Sequence, residues 1–190
     1  MARWEPNARE RLVRAALALF TEQGYDTTTV NEIAERAGLT KTTFFRHFTD
    51  KREVLFAGQE LHNRLLADGI AASPDSATPL QAAIAGLDAL TDSFPEDRRE
   101  LGARLRVIIA ANGELQERAV FKRVGHAMAV TEALRQRGVP DPTAGLAADL
   151  AVRAYYQAFE VWADTANQQT LTELTHQALD ELRAAVATLG

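Results

Sequence analysis

Within residues 41–48, KTTFFRHF, two hydroxyls and two cations sit where a short helix would turn them away from two phenylalanines. On a helical wheel Phe44 and Phe48 share a face one turn apart, while Thr42, Thr43 and Arg46 fall roughly opposite, with Phe45 and His47 on the flanks. Hydroxyls and a cation on one helix face suit hydrogen bonding to base edges and phosphate oxygens in a major groove. Lys41 occupies the first turn, where the helix dipole disfavours a cation unless a polyanion lies close by.

Charge points the same way. Between Arg36 and Arg52 five basic residues face the single acid Asp50, a local excess of four positive charges in a chain whose net charge is -5. A local patch of this kind directs a polyanion even on an acidic protein. Catalytic chemistry has no comparable constellation. His47, His62, His126 and His176 are far apart, no His-x-x-x-His pair or Gly-rich phosphate loop occurs, and no nucleophile elbow is present. The expectation is therefore a non-enzyme with no catalytic residue, no cofactor and no metal site.

The 190 residues contain no cysteine, so neither a disulfide framework nor a thiolate metal site can form, which fits a reducing cytoplasm. A hydrophobic content of 46% supports a packed core in one large or two small domains. No apolar run approaches the ~20 residues of a membrane span, and MARWEPNARER lacks a signal peptide's apolar centre. A cytoplasmic protein that does not enter a membrane is expected.

The elements that must position residues 41–48 carry clear punctuation. Thr29 and Glu32 form the reciprocal pair that caps a helix N-terminus, predicting a helix from Val30 to Ala37 with Val30, Ile33, Ala34 and Ala37 on one face. Gly38 ends it, Leu39 turns back toward the core, and Thr40 caps the next helix almost at once. A turn this short forces a steep crossing, the helix-turn-helix arrangement. Upstream, Met1–Pro6 reads as a frayed arm bearing Arg3. Asn7 and Glu10 read as a second capping pair for a helix with a buried stripe of Leu12, Val13, Ala16, Leu17 and Phe20, stopped by Gly24.

The block TTVNEIAERAGLTKTTFFRHFTDKREVLF, preceded by ALALFTEQGYDTTTV, closely resembles the N-terminal DNA-binding domain of the TetR family of bacterial transcriptional regulators. Helix lengths, the Ala-Gly turn, the aromatic run before Phe48 and the Lys51 start of the next helix match in register. The resemblance implies that Thr29 and Lys51 hold phosphates, that Asn31, Lys41, Thr42, Thr43 and Arg46 face bases or backbone, and that Phe45 and His47 line the groove. The family commonly has tyrosine where this chain has Phe45, so one phosphate hydrogen bond is missing there and apolar contact with sugar or a thymine methyl takes its place.

Beyond this block only helical periodicity follows, so an all-α chain is expected. Its two parts are an N-terminal three-helix helix-turn-helix domain over 1–50 and a C-terminal helical ligand-binding and dimerisation domain over 51–190. Asp50 and Glu53 are expected to cap one long helix running to about Ala72, ahead of the turn-rich 73–79 link. Further helices are expected from Thr78–Pro79, over Leu101–Ile109, over Leu115–Arg137, from Asp141–Pro142 through Trp162, and from Thr170–Glu173 onward. Glu96, Asp97 and Glu100 complement a helix dipole in a first turn.

The last two helices can form half of a four-helix bundle across a twofold axis, the homodimer that the resemblance implies, although periodicity alone permits a monomeric bundle equally. The resemblance further implies a repressor that binds an inverted-repeat operator in double-stranded DNA and is released by a small-molecule effector. Phe94, Arg106, Asn112, Phe121, His126, Met128, Tyr155, Tyr156, Phe159 and Trp162 are the candidate lining of the effector pocket, offering aromatic surface with a few polar groups. The rival readings are an all-α enzyme or small-molecule carrier with a degenerate DNA-binding front end, and an activator or architectural DNA binder with no effector.

Overall fold

A computed structural model describes residues 7–94, 98–164 and 166–189. The arm over Met1–Pro6 and the acids Glu96 and Asp97 lie outside the described residues. The regular structure is helical throughout: α1 (Ala8–Gln23), α2 (Val30–Arg36), α3 (Lys41–His47), α4 (Lys51–Leu55), α5 (Gln59–Ala72), α6 (Pro79–Thr91), α7 (Arg99–Ala110), α8 (Gly113–Gln136), α9 (Asp141–Trp162) and α10 (Leu171–Ala187).

The chain separates into two compact units. The first extends to Ala57 and also takes in Arg104–Ala119; the second comprises Gly58–Ala103 and the chain from Val120 onward. α7 and α8 thus each contribute residues to both.

In the first unit α1 buries Leu12, Ala15, Ala16, Leu17, Leu19 and Phe20 and stops at Gly24, whose φ of 90° only glycine takes without strain. Its expected capping pair does not form. Asn7 adopts a left-handed backbone with no side-chain cap bond, and Glu10 binds Arg14 instead at 2.6 Å. α2 does carry its reciprocal cap: Thr29 N donates to Glu32 Oε2 at 2.7 Å and Glu32 N donates to Thr29 Oγ1 at 3.3 Å. Its end is closed by Gly38 N to Glu35 O at 2.9 Å and Leu39 N to Ala34 O at 2.8 Å, the paired bonds that a left-handed residue after a helix permits. Arg11 reaches from α1 to the carbonyl of Ala37, so the turn is tied to the helix behind it.

The single long helix expected over 51–72 is two. Asp50 caps α4 by accepting from Arg52 N and Glu53 N, but Glu53 pairs with Arg118 at 2.6 Å rather than reaching back. Val54, Leu55 and Phe56 are all buried. Three successive side chains span about 200° of a helical wheel, more than one helix face can hide against a single neighbour. The chain opens after them, and Gly58, at φ 108°, restarts it as α5.

The second unit is built on α5 crossing α6 at very short range. A Cβ at Gly69 would lie 2.6 Å from Ala85 O and 2.8 Å from Gly86 Cα, and one at Gly86 would lie 2.7 Å from Leu66 O. Around this contact pack Leu66, Ile70, Leu87, Leu90, Val130, Leu134, Val152 and Leu174. α9 presents Ala144, Ala147, Ala148, Ala151, Ala154 and Ala158 inward, letting its neighbours approach closely. Arg137 closes the end of α5 by donating to the carbonyls of Ile70 (3.2 Å), Ser73 (3.0 Å) and Pro74 (2.7 Å). α6 and α10 start with full reciprocal caps, Thr78 with Gln81 and Thr170 with Glu173.

Gly69→Ala should lower unfolding stability by about 1–3 kcal/mol, because the new methyl meets backbone that cannot swing aside. Gly145→Ala, a site with nothing within 4 Å of the new methyl, should raise it by up to about 1 kcal/mol. Denaturant midpoints of the two variants measure both, and equal shifts would remove the close-crossing account.

Candidate nucleic-acid interface and aromatic cluster

α3 is only seven residues long, so its orientation comes from what it buries. Phe44 and Phe48 are buried with ring centroids 5.5 Å apart, and Thr40 caps the helix by accepting from Thr43 N at 3.1 Å. Lys41, Thr42, Phe45, Arg46 and His47 consequently face outward and are exposed, as the wheel predicts. Phe45 stays half exposed with its ring edge-on to Phe44 at 5.4 Å. Thr43 is half-buried, its hydroxyl 3.0 Å from that of Thr40. Asn31 is exposed in the first turn of α2.

The basic cluster is smaller than its sequence count. Arg36 makes two bonds to Glu22, at 2.9 and 2.7 Å, and these hold the Glu22 carboxyl below its usual range. Arg52 binds Asp50 at 2.8 Å. Burial pushes the Asp50 carboxyl up, but the Arg52 bond and the backbone N–H groups of Glu53 and Arg52 outweigh it and leave it lowered.

Lys51 is committed elsewhere. Its ammonium donates to the carbonyls of Tyr25 (2.7 Å), Asp26 (3.3 Å) and Thr28 (3.1 Å) and lies 4.1 Å from the Tyr25 ring centroid. An ammonium has three donors, and all three are occupied by the turn that leads into α2. Thr29 is likewise engaged, with its hydroxyl 2.7 Å from Glu32 Oε2. Among the described residues, Lys41 and Arg46 are the members of the cluster held by neither an acid nor a backbone carbonyl. Arg9, which the sequence reading passed over, lies 5.7 Å from the Phe48 ring and brings another cation to the back of α3.

The candidate pocket residues separate into two groups. Phe94, His126, Tyr155, Tyr156, Phe159 and Trp162 come together in the second unit through ring contacts of 5.1–6.4 Å. The other four do not join them. Arg106 is exposed on α7, and Phe121 and Met128 are exposed on α8, because their positions fall on the wheel opposite His126 and Val130. Asn112 belongs to the first unit, where it caps α8 by accepting from Leu115 N at 3.2 Å and donates to Asp26 at 3.1 Å.

One member was missed. His62 lies 5.3 Å from the Phe94 ring and 5.8 Å from His126, and Asn63 beside it has a buried side-chain oxygen with no partner. The available signal was spacing, since His62 precedes the buried Leu66 and Ile70 by four and eight positions on the same face.

Residues 12–57 match the profile of the bacterial regulatory proteins of the tetR family. Over 74 residues, 39% of this chain, the sequence is 40% identical to the HTH-type transcriptional regulator TcmR of Streptomyces glaucescens, a stretch that is 33% of TcmR. The chain spans about a third or less of the length of the first curated relatives it matches. Two solved proteins share the fold at lower identity. FadR of Thermus thermophilus, a TetR-family transcriptional repressor crystallised with lauroyl-CoA, is 22% identical with a TM-score of 0.54, covering 90% of this chain and 91% of that one. The complex of SmeT with triclosan is 22% identical with a TM-score of 0.57, covering 94% and 90%.

Burial, with Lys122 nearby, brings the His126 imidazolium down to about 3 from an ordinary value of 6.5. Unfolding then takes up a proton between those values, so stability rises with pH across that window and is lost as pH falls through it. Glu22, Glu32 and Glu173, whose folded values are lowered, add their own loss only as pH drops below the unfolded carboxyl value of 4.5. Urea unfolding at pH 7 and pH 5 should therefore differ by about 2 kcal/mol. His126→Phe should abolish most of that difference, and an unchanged difference would dissociate it from His126.

Proposed function

We propose that this chain, whose residues 12–57 belong to the TetR family of bacterial regulatory proteins, is a cytoplasmic transcriptional repressor that binds operator DNA and is released by a small-molecule effector. The observation that carries the reading is the face of α3. Two phenylalanines are locked inward by capped neighbours, while Thr42, Arg46 and Lys41 stand exposed on the side that a major groove would receive. FadR with lauroyl-CoA and SmeT with triclosan support an effector of small-molecule size for a chain of this fold.

In this reading residues 1–50 contact DNA and residues 51–190 dimerise and bind the effector. Pairing through α9 and α10 sets two reading helices ~34 Å apart, in successive major grooves on one side of the duplex, so the operator is an inverted repeat. Thr42, Arg46 and Lys41 make base and phosphate contacts from α3, with Asn31 and Thr29 beside them on α2. Phe45 supplies apolar contact in place of a phenolic hydroxyl. Lys51 acts from behind, holding the 25–28 turn so that α2 and α3 keep their angle.

The effector acts through its different affinity for the DNA-competent and the released arrangements, and about 3 kcal/mol of such coupling changes DNA affinity more than tenfold. α7 and α8 are the elements to carry it. Both include residues of the second unit, and their 104–119 portion is fastened within the first by the Arg118–Glu53 pair and by Asn112 to Asp26. Among the described residues no helix is long and apolar enough to cross a membrane.

Mobility shift with DNA flanking the gene, repeated over a range of salt, tests the reading. Lys41→Ala with Arg46→Ala should weaken binding at least tenfold and lower the salt slope by about one for each phosphate contact removed. Arg36→Ala should leave the slope unchanged, because that cation is already neutralised by Glu22. Lys51→Met should lower folding stability and affinity yet also leave the slope unchanged. A slope reduced by Lys51→Met but not by the Lys41 and Arg46 changes would overturn the assignment of the interface.

A further inference from the structure

The aromatic cluster of the second unit contains a polar group that its own fold leaves unanswered. His126 is 1% exposed, and its Nδ1 lies 3.3 Å from the Tyr156 hydroxyl, yet its Nε2 is buried with no hydrogen-bond partner. A phenol is a far better donor than acceptor, whereas a neutral imidazole nitrogen is a strong acceptor. The Tyr156 hydroxyl therefore donates to Nδ1, which places the ring hydrogen on Nε2. A buried N–H of this kind costs about 1–3 kcal/mol, and folded proteins rarely keep one without a use.

Its surroundings define what would answer it. Phe94, Tyr155, Phe159 and Trp162 meet in tilted and edge-on pairs with centroids 5.6–6.4 Å apart, so a flat guest seated among them meets both ring faces and ring edges. A cation does lie beside the rings: Arg99 is buried 5.5 Å from the Trp162 ring, but it donates to the carbonyls of Asn167 and Gln169 (2.7 Å for the latter), so the fold already uses its charge. Lys122 and Arg123 lie one helical turn earlier on α8; Arg123 is exposed, 5.9 Å from the Tyr156 ring, and Lys122 is half-buried. His126 itself is neutral at physiological pH, since burial keeps it from taking a proton. The complement is an oxygen acceptor without charge on a planar, apolar frame.

We propose that the His126 Nε2–H, set in its tautomer by Tyr156, is the donor that fixes an uncharged planar aromatic effector through a carbonyl or phenolic oxygen, stacked among Phe94, Tyr155, Phe159 and Trp162. This deepens the regulator reading above by naming the effector class, and it rests on that reading for its biological role. His126 and Tyr156 then act as specificity determinants, because a frame that lacks the oxygen leaves the N–H buried and unpaired. An acyl chain with a carboxylate fits less well, having no rings to stack and meeting in Arg99 a guanidinium already bound to the carbonyls of Asn167 and Gln169.

The 190-residue chain carrying Trp4→Phe has Trp162 as its sole tryptophan, so quenching of its fluorescence reads binding at the cluster. Three probes separate the outcomes: 9-fluorenone, fluorene of the same shape without the oxygen, and dodecanoic acid. Fluorenone should bind at least about tenfold more tightly than fluorene. His126→Phe should bring the two within about twofold by weakening fluorenone alone, and His126→Gln, which keeps an N–H donor, should restore part of the preference. Equal binding of fluorenone and fluorene to the parent would overturn the proposal, as would dodecanoic acid binding that fluorenone cannot displace.

Circular dichroism checks that each variant is folded. Should His126→Phe unfold, the fluorenone-to-fluorene ratio of the parent and its loss in Tyr156→Phe decide the matter. Mobility shift, run separately, distinguishes the two levels. A protein that prefers fluorenone but shifts no DNA keeps this site and loses the regulator reading, and one that shifts DNA but shows no preference does the reverse.

Discussion

Burial of Phe44 and Phe48 is the interaction on which the amino-terminal unit depends. A seven-residue helix has no stability of its own in water, because nucleation costs more than so few backbone bonds return. α3 exists because two aromatic rings, one turn apart, are removed from water behind it while Thr40 supplies its missing N-terminal acceptor. Once those rings point inward, helical geometry leaves no choice about Thr42 and Arg46, which must point out. The outward face of α3 is thus a consequence of the core, with the tightly closed turn at Gly38 and the Arg11 contact holding the crossing angle.

The electrostatics of this unit are economical. Most of its charged side chains are occupied in holding the scaffold: Arg36 with Glu22, Arg52 with Asp50, Arg118 with Glu53, and Lys51 across three carbonyls of the preceding turn. Exposed pairs of this kind add little stability each, but they remove charge from the surface that meets a ligand. What remains on α3 is a pair of cations, Lys41 and Arg46, exposed on a short helix beside the hydroxyl of Thr42.

The second unit solves a different problem. Its glycine and alanine contacts bring α5, α6 and α9 close, and the rings of Tyr155 and Tyr156 on α9 gather around His126. Placing an imidazole there keeps it neutral, and giving one nitrogen to Tyr156 leaves the other buried without a hydrogen-bond partner.

Which features were legible beforehand follows from the range of the forces involved. The caps at Thr29, Thr40, Thr78 and Thr170, the stops at Gly24, Gly38 and Gly138, and the inward face of α3 were readable from the chain alone, because each depends on residues within about one turn of one another. Asn7 misled for the same reason, since its backbone conformation is not set by its neighbours in sequence. Tertiary structure alone decided that Arg36 meets Glu22 across 14 positions and that Arg118 meets Glu53 across 65. It also decided that three successive buried side chains divide the helix expected over 51–72, and that His62 joins the aromatic cluster while Phe121 and Met128 stay outside it. Local hydrogen bonds determine where helices begin and end; partners brought from distant positions determine which charges stay free and which rings converge, and those are properties of the packed chain.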